Sequence, residues 1–413
     1  MNYEVLKLAI FANGIVSTRI GGAQKHMREV IKLFPEYYDI FLFPEPQMFG
    51  QKDAIDFQFV NEMQAKGIKI SPYFLDNYKT NPEINKIMKN YSREIKSCDF
   101  IYDMNFQYYL DNIKYGGAIS TQLSVMNDIA MGVCLQDMGD IASYTFDSFA
   151  NIIKLSEMAK GISWFIVSAG IYNLLNRKIT VRKLLACKKL SFITIINNEY
   201  KKNLRIPFEN IYLLNPSNAI DNEIKLYRAE EKNNQVIFYA RLIYQKGLFD
   251  IVYVHKRILE SYRIKLIISG KFQREFEKKE FFRLVKKLGL ENWIEYVGVL
   301  SDKDLYSELS RSKLMIYPSH SDSFSISVLQ ALFLHVPVVA YDIPGLSLYK
   351  NFKCVAMVKE FDTESMAGKA IEFLNTEENL FEQPELSKFI DNHLSWTFVA
   401  ESHLFAINNN LQK

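Results

Sequence analysis

Two cations five residues apart, Arg241 and Lys246, stand in the run ARLIYQKG at residues 240–247, after a strand-length apolar run and before a helical pattern. Arg offers a planar fork of donors and Lys a compact charge. Together they can hold a diphosphate and neutralise it as it leaves. The same pair also fits an ordinary solvated loop, and the spacing alone does not decide between the two. A second run, PSHSDSFSISVLQALFLHVPVVAYDIPG at residues 318–345, has a serine-rich loop that opens a helix. Backbone N–H groups of Ser323, Phe324, Ser325 and Ile326 at that helix start can hold phosphate oxygens. Asp322 stands at the loop's entry, and Gln330 falls on the same side two turns later. An ordinary helix capped by serine reads the same way. Gly21 and Gly22, after the first apolar run, permit close approach of a ligand or form a plain turn.

The elements that must position these residues follow from periodicity. Strand-length apolar runs alternate with helical patterns, which predicts α/β architecture with parallel sheets covered on both faces. In the first half, strands are expected at 6–11, 40–43, 100–104, 132–135 and 192–196, with helices at 24–33 and 119–129. In the second half, strands at 236–239, 264–268, 294–297, 314–317 and 338–340 alternate with helices at 248–259, 277–288, 303–310 and 326–334. The polar stretch 223–234 separates a first domain, 1–222, from a second, 235–390, and residues 391–413 form a helix expected to pack back toward the first domain. Two doubly wound domains of this kind bind ligands at the carboxyl ends of their strands, in a cleft between them.

Composition narrows the function classes. With 413 residues the chain exceeds one ordinary core, and 48% apolar against 23% charged residues marks a globular protein. Fifty basic and 47 acidic residues leave a net charge of +3, so no general attraction to nucleic acid is implied. Cys98, Cys134, Cys187 and Cys354 are too scattered for a zinc site and read as reduced thiols in a cytoplasmic protein. The first residues resemble a core strand rather than a signal peptide. The apolar stretch 161–175 is shorter than the ~18–20 residues a membrane span needs, so a buried or interfacial helix is expected.

Taken in order, these motifs resemble family 4 of the glycosyltransferases, with the GT-B architecture of two facing Rossmann-like domains and a cleft between them. The likeness is strongest over residues 236–373. In that family the Arg and Lys at the places of Arg241 and Lys246 hold the donor diphosphate. Its second signature has a Glu, a glycine-rich loop with Phe, and another Glu; here the places hold Asp322, Ser323-Phe324-Ser325 and Gln330. Gln136 and Asp137 stand where many relatives have His-Asp facing the reaction centre, and Asn218 to Asp221 resemble an Asn-Gly-Val-Asp segment. The resemblance implies Arg241, Lys246 and Asp322 as catalytic, and Gly21, Gly22, Gly270, Ser323, Phe324, Ser325, Ile326 and Gln330 as donor-binding. Gln136 and Asp137 then contact sugar or acceptor.

The implied activity is retaining transfer of a hexose from a UDP- or GDP-sugar to a glycan or lipid-linked acceptor, in polysaccharide or glycoconjugate synthesis. No metal and no cofactor beyond the nucleotide-sugar is expected. A catalytically silent sugar-nucleotide-binding subunit and another GT-B enzyme, such as a nucleotide-sugar epimerase, remain open alternatives. Lys154, Lys160, Arg177, Lys178, Arg182 and Lys183 flank the apolar stretch, so peripheral contact with the cytoplasmic membrane face is a further reading beside packing in a core.

Overall fold

The computed structural model describes residues 5–18, 21–45, 55–106, 118–136, 146–199, 201 and 209–411. The chain runs β1 (Lys7–Ala12), α1 (Gly22–Ile31), β2 (Asp39–Pro44), α2 (Phe57–Ala65), β3 (Lys69–Ile70), α3 (Pro72–Asn77), α4 (Ile84–Glu94) and β4 (Phe100–Asp103). It continues with α5 (Ile119–Asn127), β5 (Met131–Leu135), α6 (Phe146–Met158), α7 (Ser163–Leu185), β6 (Leu190–Ile195) and β7 (Ile211–Leu213). These strands make a parallel sheet of order β3-β2-β1-β4-β5-β6-β7.

The second sheet is built from β8 (Gln235–Tyr239), α8 (Asp250–Ile258), β9 (Lys265–Ser269), α9 (Glu275–Lys287), β10 (Ile294–Gly298), α10 (Asp302–Arg311) and β11 (Leu314–Tyr317). After these come α11 (Ile326–Phe333), β12 (Val338–Tyr341), β13 (Val355–Val358), α12 (Thr363–Leu374), α13 (Pro384–Asn392) and α14 (Trp396–Leu411). Its order is β10-β9-β8-β11-β12-β13, all parallel. The α/β class with two parallel, helix-flanked sheets expected from the sequence is therefore the observed one.

The strands form because their runs are apolar throughout. Every residue of β8 (QVIFY), β11 (LMIY) and β12 (VVAY) is buried, as parallel strands covered on both faces require. Each large apolar side chain so buried contributes about 1.5–3 kcal/mol relative to exposure. In α1, Met27, Val30 and Ile31 are fully buried, and Phe34 just beyond continues the stripe at helical spacing.

By contacts the chain divides into two units. One comprises Met1–Met138, Asn173–Ala219 and Trp396–Lys413; the other comprises Gly139–Tyr172 and Ile220–Ser395. The polar stretch 223–234 carries a short 3-10 helix, Asn222–Tyr227, inside the second unit. In the first unit, His403 of α14 binds the Tyr102 hydroxyl of β4 at 2.6 Å and the ring of His26 in α1 at 2.9 Å. Burial lowers the His26 pKa to about 4 and that of His403 well below its usual value, so both rings are neutral at pH 7 and one N–H serves the other's lone pair.

Candidate functional site

Strand order reverses direction between β8 and β11, and open α/β sheets bind ligands outside the carboxyl ends of the strands at such a point. Both runs singled out from the sequence leave the sheet there: residues 240–247 follow β8, and the serine-rich loop follows β11. Two glycines let these loops meet. Gly247 has φ +76°, and a Cβ on it would lie 2.0 Å from the Pro318 carbonyl oxygen; one on Gly345 would lie 1.8 Å from that of Asp322. Gly270, after β9, packs as closely against the Ala240 carbonyl.

Lys246 is buried, and its Nζ lies 2.9 Å from Asp322 Oδ1 while donating to the Ser321 carbonyl at 2.6 Å. The Tyr317 hydroxyl donates to the other oxygen, Asp322 Oδ2, at 2.7 Å. Asp322 is thus aimed from two sides. Arg241 is exposed and makes no side-chain hydrogen bond or ion pair with a described residue. The loop joins a cation committed to a carboxylate with one facing water.

At the start of α11, Ser325 has φ +59° and its Oγ accepts the Val328 amide at 3.3 Å, so serine does cap this helix. Its carbonyl accepts from Tyr349 at 3.1 Å. Phe324 is buried and stacks on His393, which turns its ring into the core. Ser323 and Ile326 are half-buried beside it. Gln330 is held at both ends of its amide: Oε1 accepts from the Tyr239 hydroxyl, and Nε2 donates to the Tyr306 oxygen at 3.3 Å.

His320, on the loop after β11, was given no role in the sequence reading. Its Nε2–H faces Asp250 Oδ2 at 3.0 Å and its Nδ1–H faces Glu360 Oε1 at 2.8 Å, while its backbone N–H donates to Gln245 at 2.9 Å. Burial by itself would lower the pKa, but the Asp250 and Glu360 carboxylates outweigh it and raise it to about 9. Tyr341 donates to the second Asp250 oxygen at 2.9 Å. A buried imidazolium therefore ties the loop after β11 to α8 and to the segment after β13. The sequence separations, 70 and 40 residues, left no local signal for it.

Residues 219–392 match the model of the family "Glycosyl transferases group 1". Over these residues the chain is similar to the glycosyl transferases of group 1. This agrees with the likeness drawn from the motifs at the level of glycosyltransferases of GT-B fold. The chain is 33% identical over 84 residues to an O-antigen chain mannosyltransferase B of Escherichia coli, covering 20% of this chain and 22% of that one. It is 22% identical over 159 residues to the capsular polysaccharide biosynthesis glycosyltransferase CapM of Staphylococcus aureus, covering 38% and 40%. It thus spans well under two thirds of either relative. Among solved structures, HepE of Anabaena in complex with UDP-glucose superposes with a TM-score of 0.67 at 13% identity, covering 98% of this chain and 100% of that one. Sucrose-phosphate synthase of Thermosynechococcus elongatus gives 0.67 at 12%, covering 98% of each. At such identities the likeness is one of fold.

The group 1 match stops short of the first sheet, whose carboxyl edge is built differently. Gly21 precedes α1, its N–H donating to Gln24 Oε1 at 3.1 Å, and Gly22 is the first helical residue. Gln136, after β5, is buried and donates to the Met104 carbonyl at 2.9 Å; Asp137 lies outside the described residues. At the end of β4, Asp103 is buried, accepts from Ser120 at 2.6 Å and from the Asn105 amide at 3.2 Å, and is raised by burial to about 7. Burial and then the charge of Asp103 raise Glu45, after β2, to about 8. The Asn105 side chain is buried, and neither of its polar atoms pairs with a described residue. The sequence reading had not singled out these three residues, because a single Asp, Asn or Glu after a strand carries no spacing signal.

Proposed function

We propose that this chain is a retaining glycosyltransferase that moves a hexose from a UDP- or GDP-sugar to a glycan or lipid-linked acceptor, as part of polysaccharide or glycoconjugate synthesis on the cytoplasmic side. The observation that carries this reading is the meeting of the Arg241–Lys246 loop with the Asp322 loop at the β8/β11 switch point. The activities of the relatives, a mannosyltransferase and a capsular glycosyltransferase, and the UDP-glucose bound by HepE, support it.

As the bond from the anomeric carbon to the diphosphate breaks, negative charge grows on the leaving group and the sugar becomes oxocarbenium-like. Arg241, facing solvent, and Lys246 answer the first charge, together with amides of the Ser323–Ile326 turn. Asp322, aimed by Lys246 and Tyr317, orients the sugar. Gly270 keeps the loop after β9 close to the loop after β8, and Gln330 contributes a neutral amide on the donor side. Gly21 and Gly22 leave room beside β1, while Gln136 and Asp137 serve the sugar or acceptor from the first unit.

A panel of UDP- and GDP-sugars, assayed for nucleotide release with and without acceptor, tests the reading. Release is expected with at least one donor, and Arg241→Ala and Lys246→Ala each lower it about 10²–10³-fold. Full turnover in both variants would remove these residues from the site. Free sugar released without any acceptor would instead favour an epimerase.

A further inference from the structure

The ion pair between Lys246 and Asp322 spans two loops, and its geometry is only as fixed as they are. Two backbone contacts hold them together: Gly247 packs on the Pro318 carbonyl, and the His320 N–H donates to the Gln245 carbonyl at 2.9 Å. These contacts fall on the residues either side of Lys246. The His320 side chain adds a third tie. Its Nε2–H reaches Asp250 in the first turn of α8, the helix that continues from the Lys246 loop, and its Nδ1–H reaches Glu360 just after β13. Phe361 lies on the imidazole with ring centroids 4.5 Å apart and planes 29° apart. Phe361 has φ +69°, a left-handed backbone that a bulky residue seldom adopts and that persists where its surroundings hold it.

We propose that His320 is a positioning residue for the donor diphosphate: with one N–H on each of two carboxylates, it clamps the loop bearing Asp322 to the loop bearing Lys246 and keeps those two side chains in register. This deepens the donor reading above and rests on it. The ring itself does not reach substrate, because its side chain is 4% exposed and both nitrogens are spent on carboxylates. Both N–H groups are needed. A neutral imidazole has one, so it would turn a lone pair toward Asp250 or Glu360, and that arm of the clamp would open. The groups facing the ring are Asp250 from α8, Glu360 from the segment after β13 and Tyr341 from β12, while Lys154 of α6 lies over the Phe361 ring and Asp362 acts on Tyr341. Two carboxylates therefore hold the proton in place. An opened clamp lets Lys246 and Asp322 drift, and misplacement by about 1 Å costs about 10²-fold in rate.

The test is the pH profile of kcat/KM for nucleotide release by the full chain, which reports groups of the free enzyme, with folding checked by circular dichroism at each pH. Wild type is expected to hold a plateau and then fall about 10²-fold as pH passes about 9. Glu360→Gln removes one carboxylate, so the imidazolium gives up its proton more easily. Its fall should come about one pH unit lower, from a plateau within about threefold of wild type. His320→Gln should lower the plateau about 10²-fold and lack that step. A fall that Glu360→Gln leaves in place would overturn the proposal. So would a folded His320→Gln with wild-type kcat/KM, which would make His320 a brace for stability alone. If His320→Gln does not fold, the Glu360→Gln profile decides. If no donor is turned over, the same step is sought in the Kd of UDP and GDP. Absence of nucleotide binding at about pH 7 would overturn the donor reading and this one with it, whereas binding or turnover without a step that Glu360→Gln moves would overturn this one alone.

Discussion

At the carboxyl edge of the second sheet, Lys246 meets Asp322 and His320 lies between Asp250 and Glu360. At the same edge of the first sheet, Glu45 and Asp103 crowd each other, and no described cation pairs with either. Both sheets are parallel with a reversal of strand order, so topology does not set this difference; the side chains on the loops do. Matched charges rigidify an edge and suit a ligand on which negative charge grows. Carboxyl groups held near neutrality both donate and accept, as does the Asn105 amide, and that suits uncharged hydroxyls.

The largest expected effect comes from breaking the matched pair. Lys246→Ala leaves Asp322 with little solvent and without its cation, which costs about 3–5 kcal/mol of stability. It also removes a cation from the proposed leaving-group site, which costs about 10²–10³ in turnover. Urea unfolding and nucleotide release measure the two. Adding Asp322→Ala should return most of the lost stability and none of the turnover. Recovery of both would mean that Lys246 acts only through structure.

The two edges also differ in where pH acts. For His320 the folded pKa, about 9, lies above the unfolded 6.5, so its stabilisation is complete below about 6.5 and is lost as pH rises through about 9. His320→Gln should flatten that alkaline fall in the urea midpoint. For Asp103 the folded value is raised from 3.8 to about 7, so the folded state binds more protons than the unfolded chain in that interval. Stability is therefore expected to fall as pH climbs from about 4 to about 7, and Asp103→Asn should shrink that slope by removing the charge. A slope unchanged in Asp103→Asn would show that the first edge already holds its charge at little cost.

How much of this was legible in the sequence depended on whether the signal was local. The strands at 314–317 and 236–239, the helix at 326–334 and the loops carrying Arg241, Lys246 and Asp322 were readable, because burial on both faces and a loop between strand and helix leave marks within a dozen residues. The likeness to glycosyltransferases rested on the same stretch. The partners were not readable. His320 gains its charge from residues 70 and 40 positions away, and Lys246 reaches Asp322 across 76 positions. Such pairings arise only when parallel strands bring their carboxyl ends together. The helix expected from 161–175 runs to Leu185 and leaves Trp164 in water, since the inward face at Ile166 and Leu184 is apolar at the same spacing.

The smallest effect, and the sharpest probe of the donor side, is at Gln330. Its carbonyl accepts from Tyr239 and its amide donates to the Tyr306 oxygen, so a glutamate there would need only the Tyr306 hydroxyl to turn and donate. Two internal donors would then stabilise a carboxylate in a residue 8% exposed, offsetting much of its desolvation, and Gln330→Glu should change stability by no more than about 1 kcal/mol. A carboxylate accepts from a sugar hydroxyl more strongly than an amide does, by about 1 kcal/mol, which corresponds to roughly fivefold in affinity. Calorimetric titration with UDP and GDP should therefore show several-fold tighter binding in Gln330→Glu, greatest for whichever nucleotide the wild type prefers. An unchanged Kd at unchanged stability would place the ribose away from the Tyr239–Gln330–Tyr306 chain and leave those three residues a purely internal brace between β8, α11 and α10.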